Sequence, residues 1–191
     1  MLDAKLSATV LKREQLLDKA RRELHVLSSA ILSGSKRAIF ALHRDDARAA
    51  EKELVSVNEG LSAGWKIVKK EPRLAGEGPW RAAREEFTEA ELFFAYVRDG
   101  KITKFSDQDQ DPDVFIGGIS DVAGEMVRRA MLLASRGDGG SVERLYQDAS
   151  SIVEFLLNMD LTGPLRTKTD QARQHLRKLE EIRYDMRGHG A

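Results

Sequence analysis

One seven-residue spacing constrains the fold more than any other feature of the chain. It runs from Leu17 through Leu24, Ile31 and Ala38, and a second set, Ala20, Leu27, Gly34 and Ala41, interleaves with it. Apolar residues recurring every 3.5 positions form a seam along one side of a helix, and only another helix laid lengthwise can bury such a seam. A first helix over residues 3–44 would extend roughly 60 Å at 1.5 Å per residue. Gly34, inside the seam, either bends that helix or admits a neighbouring backbone. The plain reading of the seam is core packing, not a ligand box.

The remaining chain repeats the helical pattern. Its four prolines, Pro72, Pro79, Pro112 and Pro164, punctuate long amphipathic segments, and no run of alternating β-branched residues is bounded by hairpin turns. Helices are expected from Asp46 to about Lys69, from Pro79 to about Val97, from Pro112 to about Arg136, from Ser141 to about Met159, and from the DLTGP turn (160–164) to about Met186. Asp111 or Asp113 is placed to cap the helix that starts at Pro112. The segments 71–79 and 98–112 read as loops. With 191 residues and no divided composition, the expectation is one all-α domain of six to seven helices, a helical bundle with a long N-terminal helix.

Composition removes several function classes. There is no cysteine, so a disulfide scaffold, a thiol nucleophile and a Cys-ligated zinc site are excluded. The beginning of the chain carries scattered charges and no apolar core of a secretory signal, and no stretch reaches 18 apolar residues, so a cytoplasmic protein without a membrane partner is expected. Lys and Arg number 31, as do Asp and Glu, so net charge recruits neither nucleic acid nor anionic lipid. The charges are nonetheless unevenly spread. Residues 1–50 hold ten basic and six acidic residues, whereas residues 85–125 hold three basic and eleven acidic ones. Two solvated faces would explain this. So would a basic part that holds phosphates beside an acidic part that holds divalent cations.

Position on the helices bears on that choice. In REEFTEAELFFAYV, Glu86, Ala90, Phe93 and Val97 form one stripe, with Glu89 and Tyr96 on the same side. Two acids therefore open an otherwise apolar face. Glu85 and Glu91 fall elsewhere and read as solvent-facing. In the next helix, Asp121 and Glu125 lie one turn apart with Gly118, beside the apolar row Phe115, Ile119, Val122, Met126, Ala130 and Leu133. Gly117, Gly118 and Gly124 each cost a helix on the order of 1 kcal/mol relative to Ala, and close approach of a neighbour or ligand would explain them. Four carboxylates beside apolar stripes repel one another and are pushed toward protonation. Basic side chains such as Arg128 or Arg129 would relieve this, and so would Mg²⁺ or Mn²⁺, which prefer oxygen ligands. A di-iron bundle needs Glu-x-x-His on two helices, and His25, His43, His175 and His189 form no such motif.

Several segments, in order along residues 17–188, carry a resemblance. SKRAIFALHR (35–44), FTEA (87–90) preceded by Glu86, DVFIGGISDVAGEM (113–126), TGP (162–164) and LEEIRYDMRG (179–188) together resemble the translin and translin-associated factor X family. The resemblance implies an all-α protein that assembles into a closed, usually octameric shell and binds single-stranded RNA or DNA inside. One branch binds without cutting. The other, to which the acids bring this chain nearer, carries a Mg²⁺-dependent endoribonuclease site and often works with a translin partner. Matched position by position, Glu86, Glu89 and Asp121 would be catalytic metal ligands, and Glu125 a further ligand. Trp80-Arg81 is similar to a His-Trp-Arg nucleic-acid-binding element, although GEGP stands here in place of the preceding histidines. Lys36, Arg37 and Arg44 belong to the first-helix signature, and either phosphate binding or pairing with acids such as Glu86 and Asp121 would use them.

The leading expectation is metal-assisted phosphodiester hydrolysis, with Arg81 or Arg37 steadying the strand. A non-catalytic single-strand-binding shell is the alternative. An all-α Mg²⁺-dependent nucleotide pyrophosphohydrolase is the third reading, and the ordered matches at both ends of the chain argue against it.

Overall fold

The computed structural model describes residues 2–108 and 110–188; Asp109 of the acidic stretch and His189 lie outside them. Six α-helices follow in order: α1 (Ala4–His43), α2 (Ala47–Lys70), α3 (Gly78–Asp99), α4 (Pro112–Ser135), α5 (Gly139–Leu157) and α6 (Gly163–Gly188). A single 3-10 turn, Pro72–Leu74, stands between α2 and α3. The described residues contain no strand, and no helix among them is long and apolar enough to cross a membrane.

Local chemistry sets the helix ends. The Asp3, Asp46, Asp111 and Asp138 carboxylates accept the backbone N–H groups of Leu6, Ala49, Asp113 and Ser141 at 2.8, 2.9, 3.0 and 3.0 Å, satisfying donors that the first turn leaves free. Asp111 is thus the cap of α4, and Asp113 lies inside its first turn. Gly100, at φ 68°, stops α3 in the left-handed conformation that glycine adopts without steric cost.

The seam of α1 is buried as its spacing predicts. Leu17, Leu24, Ile31 and Ala38 are all at most 2% exposed. α1 lies between α2 and α3; α3 carries α4; and α4 packs on both α5 and α6. Gly34 serves close approach, since a Cβ there would meet Val57 Cγ2 of α2 at 2.5 Å. Two cores result. One joins the ends of α1 and α3 to α4, α5 and α6 through Leu42, Phe93, Met126, Leu156 and Leu179. The other gathers α1, α2 and the beginning of α3 around Trp65 and Trp80, whose rings meet edge-on with centroids 5.5 Å apart. Trp80 is fully buried, so of the Trp80-Arg81 pair only Arg81 reaches the surface.

The polar segment between α3 and α4 is pinned from beneath. Arg84 donates to Asp107 at 2.6 and 2.9 Å, both side chains being 4% exposed, and its guanidinium stacks 4.8 Å from the Trp65 ring. A charge pair this deep tolerates burial because bidentate hydrogen bonding satisfies it.

Glycines bring α3 and α4 together. A Cβ at Gly117 would meet the Glu85 carboxylate carbon at 2.9 Å, and one at Gly118 would meet Thr88 Cγ2 at 2.7 Å and the Glu89 backbone nitrogen at 3.0 Å. At Gly124 a Cβ would meet only the His175 ring, at 3.2 Å. The two positions therefore respond oppositely to alanine. Gly118→Ala is expected to lower stability by about 1–3 kcal/mol, because backbone must move and this outweighs the gain in helix propensity. Gly124→Ala is expected to be neutral or stabilising by up to about 1 kcal/mol, since a side chain can yield. Urea unfolding of the two variants measures the difference, and equal effects would contradict the close helix approach at Gly118.

Candidate functional site

The contact of α3 with α4 brings together Glu86, Glu89, Asp121 and Glu125. Glu89 is buried at 8% exposure, and Glu86, Asp121 and Glu125 are half-buried. Burial pushes the Glu89 carboxyl up to about 9, and the neighbouring charges of Asp121, Glu86 and Glu125 add to the effect. Glu86 is raised for the same reasons, burial first, with Asp121 and Glu125 adding and Lys36 and Lys168 opposing. The four carboxylates thus occupy one electrostatic field, as the stripes on the two helices predict.

Their counter-charges differ from the expected ones. Arg129 donates to the Leu42 carbonyl at 3.0 Å and to Asp45 at 2.8 Å, and Arg128 lies 4.7 Å over the Phe40 ring. Neither takes up an acid of the cluster. Instead, Lys168 of α6 donates to Asp121 at 2.6 Å and to Glu85 at 3.0 Å. Burial alone would lower the Lys168 pKa, but the hydrogen bonds and charges of Asp121 and Glu85 outweigh it and hold the ammonium charged. His43, at the end of α1, sets its Nε2 against the Glu125 carboxylate, while its buried Nδ1 has no hydrogen-bond partner among the described residues. Among the described residues no hydrogen bond or ion pair reaches the side chain of Glu86 or Glu89.

Two further acids correct the sequence expectation. Glu85 does not face open solvent: it lies over Gly117 and accepts from Arg81 at 3.0 Å as well as from Lys168. A helix places Glu85 four residues before Glu89, on its side, so the acidic stripe is broader than a line through Glu86 suggests. Glu91 is half-buried in a cleft against α2, its carboxyl raised by burial and receiving the Ser106 backbone N–H at 3.2 Å. Tyr96 turns from the acids and donates to Asp148 of α5 at 2.8 Å.

The basic residues divide. Arg81 pairs with Glu85 and, at 3.4 Å, with Asp113, lining a cleft with Lys168 and Leu165. Lys36 is exposed, and its charge favours the ionised form of Glu86. Arg37 is engaged by Glu53 of α2 at 2.9 Å. Arg44 is exposed at the end of α1. Lys168 and His43 are the residues that the sequence reading missed, and each carried a signal. Lys168 interrupts the apolar row Leu165, Ala172, Leu179 of α6 at helical spacing, and His43 stands one turn after buried Ile39.

The donor set suits a hard divalent cation in chemistry, because it is entirely carboxylate and two of its members, Glu86 and Glu89, have no hydrogen-bonded or ion-paired partner among the described residues. No three His, Asp or Glu side chains among the described residues stand in the geometry of a metal site. Asp121 and Glu125 are instead engaged by Lys168 and His43.

Comparison with known proteins bears on this arrangement. The sequence model of the Translin family matches residues 19–190. An uncharacterised protein of Methanocaldococcus jannaschii is 30% identical over 166 residues, which make up 84% of this chain and 73% of the relative. Among solved structures, AfC3PO in complex with duplex RNA superposes with a TM-score of 0.87 at 25% identity, over 96% of this chain and 97% of the other. Apo-NeC3PO superposes with a TM-score of 0.86 at 23% identity, over 97% and 98%, and shares the fold.

The electrostatics fix a pH dependence. Between its ordinary value of 4.5 and about 9, folded Glu89 retains a proton that the unfolded chain has released. Its contribution to stability is therefore complete below that window and is lost as pH rises through it. In metal-free buffer Glu89→Gln is expected to match the wild type at low pH and to exceed it by about 1–3 kcal/mol at neutral pH. Urea midpoints measured across this pH range check the slope; parallel curves would mean that Glu89 does not carry it.

Proposed function

The chain belongs to the Translin family, and on that premise we propose that it binds single-stranded RNA or DNA and cleaves RNA internally with the help of Mg²⁺ or Mn²⁺. The observation that carries the proposal is Glu89: a buried carboxyl set against three other acids, with no hydrogen bond or ion pair among the described residues. Such a group is costly in a site without a cation. The duplex-RNA complex of AfC3PO supports nucleic acid as the ligand.

Glu86, Glu89 and Asp121 would hold the cation, with Glu125 as a further ligand or as the group that orients a water. When bound, the cation would polarise the scissile phosphodiester and acidify a bound water. The chain supplies the rest. α3 and α4 fix the carboxylates on rigid helices, Lys168 holds Asp121, and His43 holds Glu125. Arg81, Lys36, Arg37 and Arg44 offer positive charge to the backbone of the strand, whose grip is then sensitive to salt and indifferent to sequence. Exposed Leu6, Val10 and Leu11 on α1, with Leu2 just before it, support burial against other subunits, and thus homo-oligomerisation, with an octamer or a translin-like partner as the family's forms.

A specific observation favours the non-cutting alternative: Asp121 and Glu125 already have protein partners in Lys168 and His43. Labelled single-stranded RNA with Mg²⁺ separates the readings. Wild type is expected to cleave, Glu89→Gln and Asp121→Asn to lose at least about a hundredfold in rate, and both variants to keep their affinity for the strand. Equal cleavage by wild type and variants would remove the assignment. Binding without metal-dependent turnover would leave the non-cutting shell, and release of pyrophosphate from free nucleotides would identify the third chemistry.

A further inference from the structure

Beyond the carboxylates, the junction of α1 with the C-terminal half of α4 holds an open cleft of about 490 Å³, lined by Phe40, His43, Arg44, Arg128, Met131 and Leu132 among others. That volume falls within the ~300–1,000 Å³ range of small-molecule sites. Three features of the cleft are unusual together. Phe40 is an aromatic ring left 45% exposed, and Met131 beside it is 56% exposed. Arg128 stacks its guanidinium 4.7 Å over the Phe40 ring. Among the described residues neither Arg44 nor Arg128 has a carboxylate within ion-pair distance, whereas neighbouring Arg129 and Arg136 share Asp45 at 2.8 and 2.9 Å.

An open apolar cleft with two guanidinium groups that have no ion-paired carboxylate among the described residues complements one chemical unit in particular, a nucleobase joined to a phosphate. The base would extend the stack that Arg128 makes on the Phe40 ring, and the phosphate would meet the arginine N–H groups. A protein partner would need apolar area without uncompensated positive charge, or acidic side chains to match it. Position strengthens the nucleotide reading. His43 lines the cleft, and its Nε2 meets Glu125 of the acidic cluster, so one side chain separates the cleft from the carboxylates.

We propose that Phe40, Arg44 and Arg128 form a nucleotide-binding subsite that stacks one base of a single strand and holds its phosphate, next to the position of the scissile bond. This deepens the nuclease reading and rests on it for the adjacency to cleavage. The ring gives grip without base identity, because every base presents a π-face. The arginines set the register of the strand relative to the carboxylates.

Tryptophan substitution tests the stacking directly. Trp65 and Trp80 are both buried, so in Phe40→Trp the response to ligand comes from position 40. Titration with a short oligouridylate in EDTA reads binding without cleavage. Quenching of Phe40→Trp emission on saturation is expected, together with a roughly five- to hundredfold weaker affinity for Phe40→Leu. Arg44→Gln and Arg128→Gln should each reduce the salt slope of binding by about 0.7. Unchanged emission combined with unchanged Phe40→Leu affinity would overturn the subsite while leaving the cleavage reading intact. A shift of Phe40→Leu to a smaller assembly in light scattering, without loss of affinity per chain, would overturn it in favour of a subunit interface. Failure of the wild type to bind the oligomer would overturn both readings. Retained cleavage by Glu89→Gln alongside weakened binding by the Phe40 variants would remove the carboxylate assignment and uphold the subsite.

Discussion

The approach of α3 to α4 is the constraint on which the arrangement depends. At Gly117 and Gly118 no Cβ separates the helices, and the backbone of Glu89 comes within 3.0 Å of where one would be. Helices this close cannot keep their facing side chains solvated. Glu86 and Glu89 on one side and Asp121 and Glu125 on the other share a partly desolvated space, in which Asp121 and Glu125 raise both glutamates of α3 and Glu86 raises Glu89. The glycines lower helix propensity, and the apolar contacts of α4 with α3, α5 and α6 offset that loss.

Within this space the charges are only partly balanced. Lys168 reaches from α6 to Asp121 and Glu85, and His43 reaches from α1 to Glu125. Four helices therefore meet at the site, and its polar contacts tie the two ends of the chain to its middle. Glu86 and Glu89 remain outside these pairs. Burial and the neighbouring acids disfavour ionisation of these two carboxyls, with Lys36 and Lys168 only partly opposing, and a bound cation would favour their charged form. The Phe40 cleft shows the opposite excess, with Arg44 and Arg128 guanidinium groups that have no ion-paired acid among the described residues. Adjacent regions of opposite unmet charge, bridged by His43, suit a ligand that is itself a polyanion accompanied by cations.

Much of this was legible in the primary structure. The heptad seam predicted the burial of Leu17, Leu24, Ile31 and Ala38, and the prolines and aspartates predicted helix starts that the structure places within a few residues. Helical stripes mark Glu86, Glu89, Asp121 and Glu125 in the sequence, and the family match over residues 19–190 spans the segments that carry the resemblance. Glu85 and Glu91 were misread because a stripe drawn through one residue is narrower than the face a neighbouring helix covers. The partners were misread for a different reason. Arg128 and Arg129 are the basic residues nearest to the acids in sequence, yet they turn to Phe40 and Asp45.

Periodicity belongs to each segment separately, so the sequence by itself determined the helices, their ends to within a few residues, the central line of each buried face and the acids on that line. Charge pairing between distant segments follows from how the faces dock, and a linear pattern has no term for it. Only the tertiary structure decided that Lys168, 47 residues beyond Asp121, would be its counter-ion, and that His43, 82 residues before Glu125, would close the other side. Coulomb energy depends on spatial separation and local dielectric, and packing alone sets both.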